Sequence, residues 1–98
     1  MSLPVVLRLE ALADFDEAFD WYVRQRRGLG LEFDTCVHET FDRISRTPEL
    51  YAKILHDARR APVRRFPYSV IYKVEPDRVV VIAVFHGRRD PKVWQERV

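Results

Sequence analysis

Apolar positions change period along this chain, and the changes mark out its elements. Positions 4–10, PVVLRLE, alternate: Val5, Leu7 and Leu9 fall on one side, Val6 and Arg8 on the other, which predicts a short strand. Phe15, Ala18, Phe19 and Tyr22 then recur at helical spacing. Asp14 followed by Glu17 resembles a capping box that would start this helix, and Arg26-Arg27-Gly28 suits its C-terminal end. After Gly28-Leu29-Gly30, a second helical stripe runs through Phe33, Val37, Phe41 and Ile44 and stops at Thr47-Pro48. Positions 49–62 have weak helical character and no clear period, so they read as a connector. Strands follow at Val63–Phe66, Tyr68–Val74 and Arg78–His86, with Glu75-Pro76-Asp77 as a turn. Asp90-Pro91 can begin a last short helix carrying Trp94. The predicted order is β-α-α-β-β-β plus a short C-terminal helix. This is an α+β fold in which a helical hairpin packs on a small, mainly antiparallel sheet.

The strand Val79–Phe85, VVVIAVF, is apolar on both faces. Strict alternation puts Val79, Val81, Ala83 and Phe85 on one face and Val80, Ile82 and Val84 on the other. A hairpin of helices normally covers one face of an antiparallel sheet, and the other should then be polar. Something else must cover the second face: the C-terminal tail with Trp94, the connector with Tyr51, Ile54 and Leu55, or a partner chain.

A length of 98 residues suits one domain, 1–98, and the 47% hydrophobic, 33% charged composition excludes a disordered or fibrous chain. No apolar run approaches the ~20 residues of a membrane span. No basic segment followed by a long apolar core suggests export, so a cytoplasmic location is expected. The single cysteine, Cys36, reads as a small hydrophobe. His38, His56 and His86 share no ligand-like spacing with it, so neither a metal nor another cofactor is expected. Net charge is +2, unevenly spread: residues 1–52 carry six Lys/Arg against ten Asp/Glu, and residues 53–98 carry eleven against five. A basic second half either meets an anionic partner or attracts the acidic first half within the fold.

Three stretches together carry a family resemblance: "ALADFDEAFDWYVRQRRGLGLEFDTCV", "RRFPYSVIYKVEPDRVVVIAVFHGRRDP" and "VW" near the end. The combination of Phe-Pro-Tyr, a following tyrosine, a turn, an apolar strand and His-x-Arg-Arg-x-Pro resembles the RelE/ParE superfamily of bacterial toxins. It is more similar to the ParE branch of plasmid-stabilisation proteins. The resemblance implies the toxin of a type II toxin–antitoxin system, forming a hetero-oligomer with a cognate antitoxin. The antitoxin's acidic tail would wrap the toxin, and only the antitoxin would touch operator DNA. On this view Tyr72, Val80, Ile82, Val84 and Arg64 would meet the antitoxin.

The superfamily implies two targets. ParE-branch proteins resemble inhibitors that bind DNA gyrase, for which Arg88, Arg89, Lys92 and Trp94 would form a recognition patch without catalysis. The RelE branch cleaves mRNA on the ribosome, which needs proton transfer and cations around a charged phosphorane-like state. His86, with Arg65 and Arg88, would serve that role here. Against it, many RelE-type nucleases place a tyrosine soon after the basic cluster, where this chain has Trp94. A third reading is a toxin-like module that only binds an antitoxin.

Overall fold

The computed structural model describes residues 2–98. Its elements are β1 (Val5–Leu7), α1 (Leu9–Gln25), α2 (Leu29–Arg46), β2 (Lys53–Leu55), β3 (Ala58–Pro62), β4 (Tyr68–Val74), β5 (Val79–His86) and α3 (Lys92–Gln95). The α+β architecture is as expected from sequence: a helical hairpin lies on a five-stranded sheet of order β1-β5-β4-β3-β2. All neighbours are antiparallel except β1, which runs parallel to β5, with Val5 opposite Val79 and Leu7 opposite Val81.

The helices meet closely because Gly30 leaves room. A Cβ there would come within 2.4 Å of the Val23 side chain. Gly28, at φ 81°, makes the left-handed turn between the helices. Under the hairpin lies a core of Phe33, Val37, Ile44, Val70, Tyr72, Val79, Val81 and Val84. Phe33 is its aromatic hub, with ring centroids of Tyr22, Tyr68, Phe66 and Phe15 at 5.0, 5.1, 5.2 and 5.8 Å. Cys36 is buried in the same layer.

Three expectations about the elements are corrected. The first strand covers only Val5–Leu7 and α1 begins at Leu9, so Asp14 lies inside the helix rather than at its cap. Its carboxylate instead accepts the backbone N–H of Val84 at 3.1 Å. The segment 49–62 is not a featureless connector but holds the β2–β3 hairpin, turning where His56 takes φ 51°. Val63–Phe66 is a turn, not a strand, because Arg65 sits at φ 71° and reverses the chain between β3 and β4.

The second face of β5 is covered by the chain itself. Trp94, with Val93 and Val98 beside it, packs on Ile71, Ile82, Ala83 and Phe85. A bulge also changes which residues face where. Ile71 pairs with Ala83 and Tyr72 with Val81, so Ile82 is an extra residue in β5. Alternation restarts after it. Val84 joins Val79 and Val81 beneath the helices, while Ala83 and Phe85 turn to the Trp94 side.

Tyr72 is fully buried, and its hydroxyl donates to the Pro48 carbonyl at 2.8 Å. Burial pushes its phenol up to about 12. In the unfolded chain the phenol ionises near pH 10. This contribution to stability is therefore complete below pH ~10 and is lost as pH rises from there through the folded value. Urea midpoints should fall more steeply between about pH 9.5 and about pH 11.5 in the wild type than in Tyr72→Phe; parallel curves would refute the assignment.

Candidate functional site

β5 ends in a tight, self-bonded corner. Gly87 N–H donates to the Pro67 carbonyl at 2.8 Å, and Arg89 N–H donates to the His86 carbonyl at 3.1 Å. The His86 ring stands edge-on to Tyr68, with centroids 5.1 Å apart, and its Nδ1 accepts the backbone N–H of Arg88 at 3.0 Å. Asp90 Oδ1 then accepts Lys92 N–H at 3.0 Å and leads the chain into α3. The corner projects Arg88, Arg89 and Lys92 into solvent, and among the described residues none of these three side chains has an ion-pair or hydrogen-bond partner.

The other basic candidates are already engaged. Arg64 holds Glu39 through two guanidinium nitrogens at 3.0 and 3.2 Å, and this partner raises its pKa. Arg65 reaches Glu32 at 3.4 Å, and Glu32 also accepts from Arg26 at 2.7 Å. The Arg26 hydrogen bond is the main reason that the Glu32 carboxyl lies below its usual range. These pairs tie the β3–β4 turn to α2. They are exposed, so each contributes little to stability. Arg65 does not line the cleft that holds His86.

Two clefts flank the corner, one on each side of the sheet, and Arg89 lines both. On the Trp94 side a cleft of about 330 Å³ holds Arg60, Ser69, Phe85 and Arg89. Arg60 is fixed there by its Nε bond to Ser69 Oγ at 3.1 Å. This lining offers cations and a hydroxyl, and among the described residues no imidazole, phenol or carboxylate. Such a surface can hold an anion but supplies no evident group for proton transfer. On the helix side a cleft of about 570 Å³ holds Trp21, Tyr68 and His86 with Asp14, Glu17 and Arg24. His86 thus opens on the face opposite Arg60.

The sequence-predicted sites divide accordingly. Arg88, Arg89 and Lys92 do cluster at the surface, but Trp94 lies beneath them, 6% exposed and packed in the core. Tyr72, Val80, Ile82 and Val84 are between 0% and 5% exposed and have almost no surface to offer a partner. Their apolar two-faced pattern is explained by the hairpin on one side and the C-terminal tail on the other. Arg64 remains accessible. Sequence reasoning missed Arg60, because it lay in a segment without a period, and missed Trp21 as a cleft wall. The available signal was an aromatic residue placed off the apolar stripe of α1. Among the described residues no three His, Cys, Asp or Glu side chains converge to hold a metal ion.

A helical hairpin on one face of a five-stranded sheet, with β1 inserted parallel at its edge, defines the class: a small α+β domain with a basic corner. A family model for the ParE toxin of the type II toxin–antitoxin system, parDE, matches residues 5–91. The chain belongs to this family of toxins. A solved structure described as the chromosomal ParDE TA system from P. aeruginosa contains a chain of the same fold. Its TM-score is 0.73 at 18% identity, covering 87% of this chain and 96% of that one. No curated protein matches this chain significantly. No helix of the described residues is long and apolar enough to cross a membrane.

Proposed function

We propose that the chain acts by binding rather than by catalysis. An acidic antitoxin segment neutralises it in a hetero-oligomer. When free, it engages a cellular target through Arg88, Arg89 and Lys92. The ParE branch makes DNA gyrase the leading target. One observation carries this reading: three unpaired cations crown a corner whose only imidazole already spends its Nδ1 on the Arg88 backbone. A ribonuclease would need proton-transfer groups facing the same cleft as its cations. The His86 cleft does hold Arg24 and Arg89, but beside the carboxylates of Asp14 and Glu17, which oppose a phosphate, while Arg60 faces the other side of the sheet.

The test uses the purified chain in a gyrase supercoiling assay and in a translation extract. Inhibited supercoiling with accumulated cleaved DNA is the expected result. The pair Arg88→Ala and Arg89→Ala should abolish it with Tm unchanged, since both side chains are exposed and unpartnered. His86→Asn should retain it, whereas a proton-transfer role would cost ~10²-fold or more. Transcripts cut on the ribosome would instead establish the nuclease reading. No effect in either assay would leave an antitoxin-binding module.

A further inference from the structure

The C-terminal tail covers only part of the sheet face turned away from the helices. Trp94 and Val93 lie on Ile71, Ile82, Ala83 and Phe85, toward β5. Nearer β2 and β3 the face stays open, and the trough of about 330 Å³ lies there, bounded by Ile54 of β2 and Gln95 of α3. Strand register explains what stands in it. Arg60 pairs with Ile71, and Ser69 pairs with Phe85, while Ser69 and Ile71 are two residues apart on β4. All four side chains therefore rise from one face. The result is a cation and a hydroxyl set beside an apolar floor, with Arg89 of the corner at the rim.

The two cations are unopposed. Arg26, Arg64, Arg65, Arg78 and Arg97 each hold a carboxylate, whereas among the described residues Arg60 and Arg89 have none, and no Asp or Glu lines the trough. Asp90, next to Arg89 in the chain, turns one carboxylate oxygen to the Lys92 N–H. The hydrogen bonds inside the trough aim its donors outward. Arg60 Nε donates to Ser69 Oγ at 3.1 Å, which fixes the guanidinium and leaves both terminal nitrogens to donate side by side. Ser69 Oγ acts as the acceptor in that bond, so its own hydrogen is available too. The charged and hydroxyl groups of the trough all donate.

A lining of donors selects a ligand of acceptors. A peptide laid over this face would carry N–H groups with no acceptor to meet, because the backbones of β3, β4 and β5 are bonded to one another there. A phosphate ester carries only acceptor oxygens and matches the guanidinium fork. The apolar floor beside the cations suits a ring system, and the volume is at the small end for ligand sites. We infer that the trough binds the phosphate of one nucleotide unit. Its oxygens take the terminal nitrogens of Arg60, the Arg89 guanidinium and the Ser69 hydroxyl, and its sugar and base lie over Ile54 and Phe85. The unit is either a free nucleotide or one link of a single strand, since both offer the same chemistry. Arg89 also belongs to the exposed rim, so an occupied trough draws one of the three rim cations away from the target.

Two probes, adenosine monophosphate and a short fluorescent oligothymidylate, are titrated into the full chain and followed by NMR and by anisotropy. The Ser69 amide and the Arg60 Nε–H signals should shift, while the Trp21 indole signal in the opposite cleft stays unchanged. Arg60→Gln and Arg89→Gln should each weaken binding by about tenfold or more with Tm unchanged. Arg60→Lys, which keeps the charge but not the fork, should restore only part of it. Affinity for the oligothymidylate should fall as salt rises, and Arg60→Gln should reduce that slope by roughly one. Tighter binding of the oligothymidylate assigns the site to a strand, and equal or weaker binding assigns it to a free nucleotide; either supports the inference. No binding of either probe, unchanged affinity in both glutamine variants, or equal binding of a glutamate-rich peptide would overturn it. The target reading is decided separately by supercoiling inhibition. Inhibition without nucleotide binding would sink the trough alone, and nucleotide binding without inhibition would sink the target reading alone.

Discussion

Replacing Phe33 by alanine is expected to lower the melting temperature by about 15 °C or more. Phe33 is fully buried, and four other aromatic rings surround it with centroids between 5.0 and 5.8 Å. Those rings come from α1, the β3–β4 turn and β4, so none can swing in to fill the hole without disturbing another element. Loss of transfer energy plus the residual cavity puts the cost at about 3–5 kcal/mol. A domain of this size has about 5–15 kcal/mol in total. The measurement is calorimetry or a urea titration of Phe33→Ala beside Phe33→Leu, which keeps most of the volume and should lose clearly less. Equal losses in the two variants would show that cavity volume is not what matters at this position.

The second large effect is expected at Asp14. Its carboxylate takes two guanidinium nitrogens of Arg97, at 2.7 and 3.3 Å, as well as the Val84 N–H. The pair is mostly buried, with side chains 11% and 18% exposed. Asp14→Ala would leave a poorly solvated guanidinium and an orphan strand N–H, at a cost of about 3 kcal/mol. Arg97→Met alone orphans the Asp14 carboxylate, but in the double variant it removes the unpaired charge. The two changes together should therefore cost less than their sum. A double-mutant cycle by chemical denaturation measures this coupling. Strict additivity would mean that the pair contributes nothing beyond its separate contacts.

Much of the fold was legible because the signals were local. The stripes of α1 and α2, Gly28 between them and the apolar run of β5 each reported one element without needing the rest. What could not be read depended on contacts distant in sequence. Ala58–Pro62 forms a strand although it reads ARRAP, because its register with Ser69–Tyr72 supplies the ladder that its composition does not suggest. Asp14 looked like a helix cap because nothing nearby shows that a strand N–H 70 residues away needs its carboxylate. Strict alternation put Val84 on the wrong face because a bulge at Ile82 has no signature in a run of uniformly apolar residues. The site was half legible for the same reason. Arg88, Arg89 and Lys92 sit next to each other in sequence, whereas Arg60 and Trp21 reach their clefts only through tertiary packing.

The parallel pairing of Val5 with Val79 has a consequence for biosynthesis. β1 cannot dock until β5, more than 70 residues further on, has been synthesised, so the sheet closes across a long loop. During translation the hairpin helices can form early, but their apolar faces have no complete sheet to rest on. The nascent polypeptide thus holds no finished rim of arginines until β5 and the corner after it have been synthesised.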